Sequence, residues 1–198
     1  MRSKTSLTRN AFVEAAFKIV REKGLETLSA RSLARELNCS TMPIYSYLKS
    51  MRSLRKKLGK KATDLLLAYQ TTTRTGRVFF DMGLGYILFA RQEKNLFRLL
   101  FGRNEREGRS RLGETMTAFA LGSLVKKMRD DPIFKGLSEG QLENILIKMW
   151  IFVHGLAFLI NSGAFPNYSE DDIKEIIGET GQFIIAGEQE RRLPKGGK

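Results

Sequence analysis

The chain has 198 residues, with 34 Lys+Arg against 21 Asp+Glu, one His, one Cys and a formal net charge of +13. That length suits one or two small domains with a real core, and 42% apolar with 28% charged residues is a globular balance, not a disordered one. One Cys and one His exclude an internal disulfide framework and leave almost nothing for a structural zinc site, so no metal, cofactor or catalytic set is expected. The charged start Met1-Arg2-Ser3-Lys4 is no secretory signal, which sets the expectation of a reducing cytoplasmic setting. The longest apolar stretch, Met149 to Ile160, is too short to span a bilayer, so no membrane partner is expected.

The charge is uneven. Residues 1–61 hold 15 Lys/Arg and four Asp/Glu, whereas the rest hold 19 and 17. A segment this basic suits a polyanion, because Lys and Arg displace the counterions condensed on phosphates. Charge alone does not separate nucleic acid from an anionic membrane surface, and a charge run is more often just a solvated face.

Helices are expected almost throughout, about nine of them, with no β alternation. Thr8 is a suitable N-cap for a helix carrying Phe12, Ala15, Ala16, Ile19 and Val20 on one face, and Gly24 ends it. Ser29 starts a second helix whose apolar stripe is Leu33, Ala34 and Leu37. Asn38 stops it, being the residue after glycine most tolerant of the left-handed conformation. Ser40 then caps a third helix, Thr41 to Leu48, with Pro43 in its first turn. Two short helices joined by a three-residue turn make a helix-turn-helix.

Ile44 and Leu48 anchor that third helix, while Ser40, Thr41, Tyr45, Tyr47 and Lys49 are hydrogen-bonding residues. Ser29, Arg31, Ser40, Thr41, Tyr45, Tyr47, Lys49, Arg52 and Lys56 are candidates for phosphates and base edges, and Met42 or Pro43 for a thymine methyl. A plain three-helix bundle without ligand is the competing reading, weakened by the basic flanks. The segment LSARSLARELNCSTMPIYSYLKSMRSL resembles the DNA-binding domain of the TetR family of bacterial transcription regulators. Two positions depart from the family's pattern. Asn38 replaces the glycine of the turn, and Met51 stands where a phosphate-contacting lysine is usual, which leaves that contact to Lys49 or Arg52 or lowers affinity.

The organisation expected is a helix-turn-helix domain over 1–50, with its motif at about 29–48, a ligand-binding and dimerisation domain over 51–190, and a disordered tail over 191–198. The helix through Leu54, Leu58, Leu65 and Leu66 links the parts and ends at the threonine tract 71–73; the resemblance implies that it acts as a lever. Val78 to Ala90 suggests one amphipathic helix, Leu96 to Phe101 a short apolar one and Leu112 to Met128 another. Ser138 with Gln141 opens a long helix to Asn161 as a capping box, and Ser169-Glu170-Asp171-Asp172 opens a last helix ending near Gly187. YILFARQEKNLFRLLFG is similar to the family's regulatory domain, and WIFVHGLAFLINSG to its dimerisation helix.

Leu142 to Ile160 is apolar nearly all round, so it is central to a core or shared between two chains. A homodimer is the better account, with Phe152, His154, Leu156, Leu159, Ile173, Ile176, Ile177, Phe183 and Ile184 at the interface. Phe79, Met82, Tyr86, Phe89, Phe97, Phe101, Met116, Phe119 and Trp150 line a pocket or fill a solid core. The resemblance favours the pocket and implies a small apolar or aromatic effector that releases DNA. His154 has no nucleophile or acid beside it and is given no catalytic role; Cys39 is read as structural. The expectation is thus a repressor that binds double-stranded palindromic operator DNA as a homodimer and is not an enzyme. The alternative is a basic module that coats DNA or a membrane surface without an effector.

Overall fold

The computed structural model describes residues 8–47, 50–102, 124–126, 128–129, 131–165 and 168–191, and they are helical with no strand among them. Eight α-helices have described bounds: α1 Arg9–Lys23, α2 Ala30–Glu36, α3 Met42–Tyr47, α4 Met51–Thr71, α5 Val78–Gln92, α6 Lys94–Phe101, α7 Glu139–Ser162 and α8 Glu170–Glu190. Residues 124–126 and 128–129 are also helical, and Val125 and Met128 are buried. The remainder of the expected 112–128 helix lies outside the described residues.

Local chemistry accounts for most of the boundaries. Thr8 Oγ1 accepts from the Ala11 N–H at 3.2 Å and starts α1. Gly24 ends α1 at φ +89°, ψ 161°, a backbone state closed to other residues. After α2, Asn38 has φ +50°, and the Cys39 N–H reaches back to the Ala34 carbonyl at 3.0 Å, a left-handed helix stop made with asparagine. Reciprocal capping boxes open α2 (Ser29 with Ser32), α7 (Ser138 with Gln141) and α8 (Ser169 with Asp172).

The chain divides into two compact units. The first comprises residues 1–65 and 93–110; the second comprises 66–92 and 111–198. The chain crosses from one unit to the other three times: inside α4, between Leu65 and Leu66; between Gln92, the last residue of α5, and Glu93; and between residues 110 and 111, which lie outside the described residues. This partition differs from a simple cut near residue 50.

In the first unit, Phe12, Ala16, Ile19 and Val20 of α1, Leu33 of α2, Ile44 of α3, and Leu54, Leu58 and Ala62 of α4 are buried together with Leu96, Phe97 and Leu100 of α6. Helix α6 packs on α1. Arg21 holds Glu93 with two nitrogens, Nε at 2.7 Å from Oε2 and Nη2 on Oε1, and Asn95 Nδ2 donates to the Arg21 carbonyl at 3.0 Å. Glu93 is only 5% exposed, so the bidentate pairing offsets its lost hydration.

In the second unit α5 is central, against both α7 and α8. It is not the amphipathic helix its pattern suggests: Asp81, Met82 and every residue from Leu84 to Ala90 are buried. Asn161 Nδ2 donates to the Ala90 carbonyl at 2.9 Å and ties α7 to the end of α5. Helix α7 is long and apolar enough, by length and composition, to cross a membrane, a property it shares with central helices of helical cores. One of its faces is covered within the unit and carries Leu142, Ile145, Leu146, Met149, Val153, Leu156, Ala157 and Ile160.

Asp81 organises the joint between α4 and α5. Its carboxylate accepts from the N–H groups of Arg74 at 2.9 Å, Thr75 at 3.0 Å and Gly76 at 3.2 Å, and from the Thr75 hydroxyl at 2.7 Å. Burial pushes its pKa up, but these donors together outweigh burial and hold it below the usual 3.8. A depressed folded pKa contributes stability that is present above the unfolded value and lost as pH falls through the folded one. Asp81→Asn is therefore expected to cost about 2 kcal/mol at neutral pH. In urea titrations the gap to the parent protein should close between about pH 5 and pH 2. A gap independent of pH would mean that the charge is not what holds the loop.

Candidate nucleic-acid interface

The first unit presents α2, a turn and α3, and packing decides which side chains remain outside. Ile44, 1% exposed, is the anchor of α3. Thr41, not Ser40, stands at the helix boundary, since α3 begins at Met42 and the Ile44 N–H donates to the Thr41 carbonyl at 3.1 Å. Ser40 and Ser46 are exposed and Thr41 is half-buried. The Ser46 hydroxyl donates to the Met42 carbonyl at 3.2 Å and is thereby occupied by its own helix. Met42 is 76% exposed.

Pro43, Tyr45 and Tyr47 lie on α3 by their backbone, while their side chains, like Lys49 as a whole, lie outside the described residues. The Ser29 hydroxyl accepts from the Ser32 N–H at 3.1 Å and meets Ser32 Oγ at 3.2 Å, so its role is to cap α2. Ser50 Oγ likewise accepts from the Ser53 N–H at 3.1 Å and opens α4. Met51 is half-buried at the head of α4, whereas Arg52, one residue on, is exposed.

Three of the unit's acids are matched to particular cations. Lys61 Nζ is 2.5 Å from Glu14, Lys18 Nζ is 2.6 Å from Glu36, and Arg21 holds Glu93. The hydrogen bond from Lys18 lowers the pKa of Glu36, and Glu36 in turn raises that of Lys18. Arg31, Arg52 and Lys56 are exposed and have no carboxylate partner among the described residues. These three cations come from the first turn of α2 and the first two turns of α4, the elements that flank α3 in the chain.

The second unit redistributes the expected site residues. Met82, Tyr86 and Phe89 are buried in its core, and Phe79 packs edge-on against Phe134 with centroids 5.2 Å apart. Phe97 and Phe101 belong instead to the first unit, on α6, their rings 5.0 Å apart. Met116 and Phe119 lie outside the described residues. Trp150 stacks on His154 at 5.3 Å, and His154 Nδ1 is 2.8 Å from the Tyr86 hydroxyl. Burial holds the His154 pKa below the usual 6.5 and raises that of Tyr86. The second unit also has an open cleft of about 430 Å³, lined by Gln70, Thr71, Thr72, Thr73, Gly76, Val78, Asp81 and Met82. Among the described residues, Met82 alone of the expected pocket set lines it.

The expected interface set divides in the same way. Leu156, Ile173 and Ile177 are buried inside the unit, because the covered faces of α7 and α8 pass through them. Phe152, His154, Ile176 and Ile184 are half-buried, while Leu159 and Phe183 are exposed, Phe183 at 77%. Ile147, Ile151 and Phe158, part of the apolar run 142–160 that suggested a shared surface, are exposed on the outer face of α7. Their signal was spacing: 147, 151, 155 and 158 fall at four, four and three, a single helical stripe. Gly155 sits in it, and a Cβ there would meet nothing within 4 Å. Arg191, assigned to a disordered tail, instead follows α8 and pairs with Glu188 at 3.2 Å.

A helix-turn-helix head, joined to a second helical unit by a helix that runs from one into the other, defines a class: the two-part transcription regulators. Residues 79–179, just over half of the chain, match the family model described as "Tetracyclin repressor-like, C-terminal domain". The chain belongs to the TetR family of transcription regulators, a family generally without enzymatic activity.

Solved structures share the fold. A protein of unknown function from Rhodococcus sp. RHA1 is 20% identical, with a TM-score of 0.65 over 90% of this chain and 94% of that one. A protein assigned as a transcriptional regulator from Pseudomonas aeruginosa PAO1 is 17% identical, with a TM-score of 0.66 over 92% of each chain. One assigned to the TetR family from Rhodococcus sp. is 16% identical, with a TM-score of 0.61 over 89% of this chain and 98% of that one. No curated protein matches.

Proposed function

We propose that the chain is a repressor that binds a palindromic DNA operator as a homodimer, with α3 read into the major groove and the outer face of α7 and α8 as the dimer seam. The observation that carries the reading is α3 itself: a helix held by Ile44, with Met42 outward, flanked in the chain by the unpaired cations Arg31, Arg52 and Lys56. A core helix would not leave its first residue in water, and a helix serving solubility alone would not need cations on both sides. Two heads related by a two-fold axis then require two inverted half-sites. The 1–50 and 51–190 division enters in functional form: DNA reading in the first unit, dimerisation and effector response in the second. A small apolar or aromatic effector suits the second unit, where buried Tyr86 and half-buried Trp150 both contact His154, whose pKa burial holds down.

Selection of bound fragments from a random DNA pool, followed by titrations across a salt series, tests this. About four cations per head engaging phosphates would give a slope of log K against log salt of roughly −7 for the dimer. A shallow slope with no sequence preference would overturn the reading and favour a basic coating module.

A further inference from the structure

We infer that Met42 is a specificity-determining residue and that what it reads is the 5-methyl group of thymine. The inference rests on the proposed reading of α3 as the DNA-facing helix, and it adds which base the helix demands. Within α3 the described side chains have different fates. Ile44 is buried, and Ser46 donates its proton to the Met42 carbonyl, so neither offers a free donor or an apolar tip. Met42 is 76% exposed and is the most exposed large apolar side chain described in the first unit.

An apolar side chain in water contributes nothing to its own domain's stability, so Met42 has no fold role to satisfy. Its chemistry also narrows what it can recognise. A thioether neither donates a hydrogen bond nor accepts a strong one, so it cannot read the donor and acceptor pattern of a base edge. The apolar group that a base pair displays in the major groove is the C5-methyl of thymine. Methionine, unbranched and with three rotatable bonds, can settle against that methyl without a rigid fit. Arg31, Arg52 and Lys56 hold the backbone and are indifferent to sequence, so discrimination falls on the few outward groups of α3 and its turn: Ser40, Thr41 and Met42 among the described side chains.

The test uses the full chain and the DNA site selected from a random pool. Each thymine is replaced singly by deoxyuridine, which removes one methyl and leaves every hydrogen-bonding group in place. Binding of the parent protein should weaken about fourfold at one thymine per half-site, the factor that corresponds to roughly 0.8 kcal/mol for one buried methyl group. Met42→Ala should bind the parent site several-fold more weakly and lose its response to deoxyuridine at that position. Thr41→Ser, which removes the methyl of the half-buried residue before Met42, should keep the response.

The thermal midpoint of Met42→Ala should equal that of the parent protein, since the side chain is outside the core. Equal binding of every deoxyuridine site by the parent chain, or an undiminished response in Met42→Ala, would overturn the inference while leaving DNA recognition intact. Failure to select any DNA site would instead overturn the regulator reading, and this inference with it.

Discussion

Gly85→Ala is expected to lower the thermal midpoint by about 6–12 °C, the shift that corresponds to roughly 3 kcal/mol in a chain of this size. A Cβ built on Gly85 would lie 2.1 Å from the Tyr69 backbone oxygen and 2.9 Å from the Gln70 Cα. Both obstacles are backbone, so no rotamer change relieves them, and the last turns of α4 must move off α5. That movement breaks more than one contact. Tyr69 also donates its hydroxyl proton to Gln92 Oε1 at 2.9 Å, and its ring meets Phe89 edge-on at 5.6 Å. The Arg74 guanidinium holds the Tyr69 carbonyl at 2.7 Å. Differential scanning calorimetry checks the prediction, and a midpoint within a degree of the parent's would show that α4 and α5 are not held at this spacing. The same substitution at Gly155, where nothing lies within 4 Å, is its control for protomer stability.

Ile151→Asp is expected to convert the proposed dimer into monomers at micromolar concentration without unfolding the protomer. Ile151 is 60% exposed in the single chain, so an aspartate there is hydrated and harmless to the fold. In a two-fold interface the change occurs twice, each copy losing about 2 kcal/mol of apolar burial. The sum, about 4 kcal/mol, raises the dimer dissociation constant nearly a thousandfold. Sedimentation velocity reads the outcome directly. DNA affinity should fall with it, because one head then binds without its neighbour. A variant still dimeric at micromolar concentration would place the seam elsewhere on the molecule.

Features decided within four or five residues were legible in the chain. Thr8, Ser29, Ser138 and Ser169 cap helices because a hydroxyl after an extended residue finds the third N–H ahead wherever the helix later packs. Asn38 takes a positive φ for an equally local reason. Ser40 was misjudged by one position, since either Ser40 or Thr41 satisfies the same local pattern and the seating of Ile44 fixes where α3 starts. The membership of α6 was not legible at all. Leu96, Phe97 and Leu100 state that the helix has an apolar face but not which helix meets it. The Arg21–Glu93 pair, 72 residues apart in the chain, and the packing of α6 on α1 show that α6 joins the first unit.

The amino-acid order alone determined that this protein is helical, where most of its helices begin, and that its positive charge gathers around a helix-turn-helix, because caps, turns and charge are properties of neighbouring residues. The tertiary structure decided how each apolar face was allotted. It buried α5 all round from Leu84 to Ala90, turned Leu156, Ile173 and Ile177 inward, and left Ile151, Phe158 and Phe183 outward. The physical reason is that burial has no direction along the chain: an isoleucine gains the same free energy against any apolar surface, so its partner is settled only when all the helices compete for the same interior.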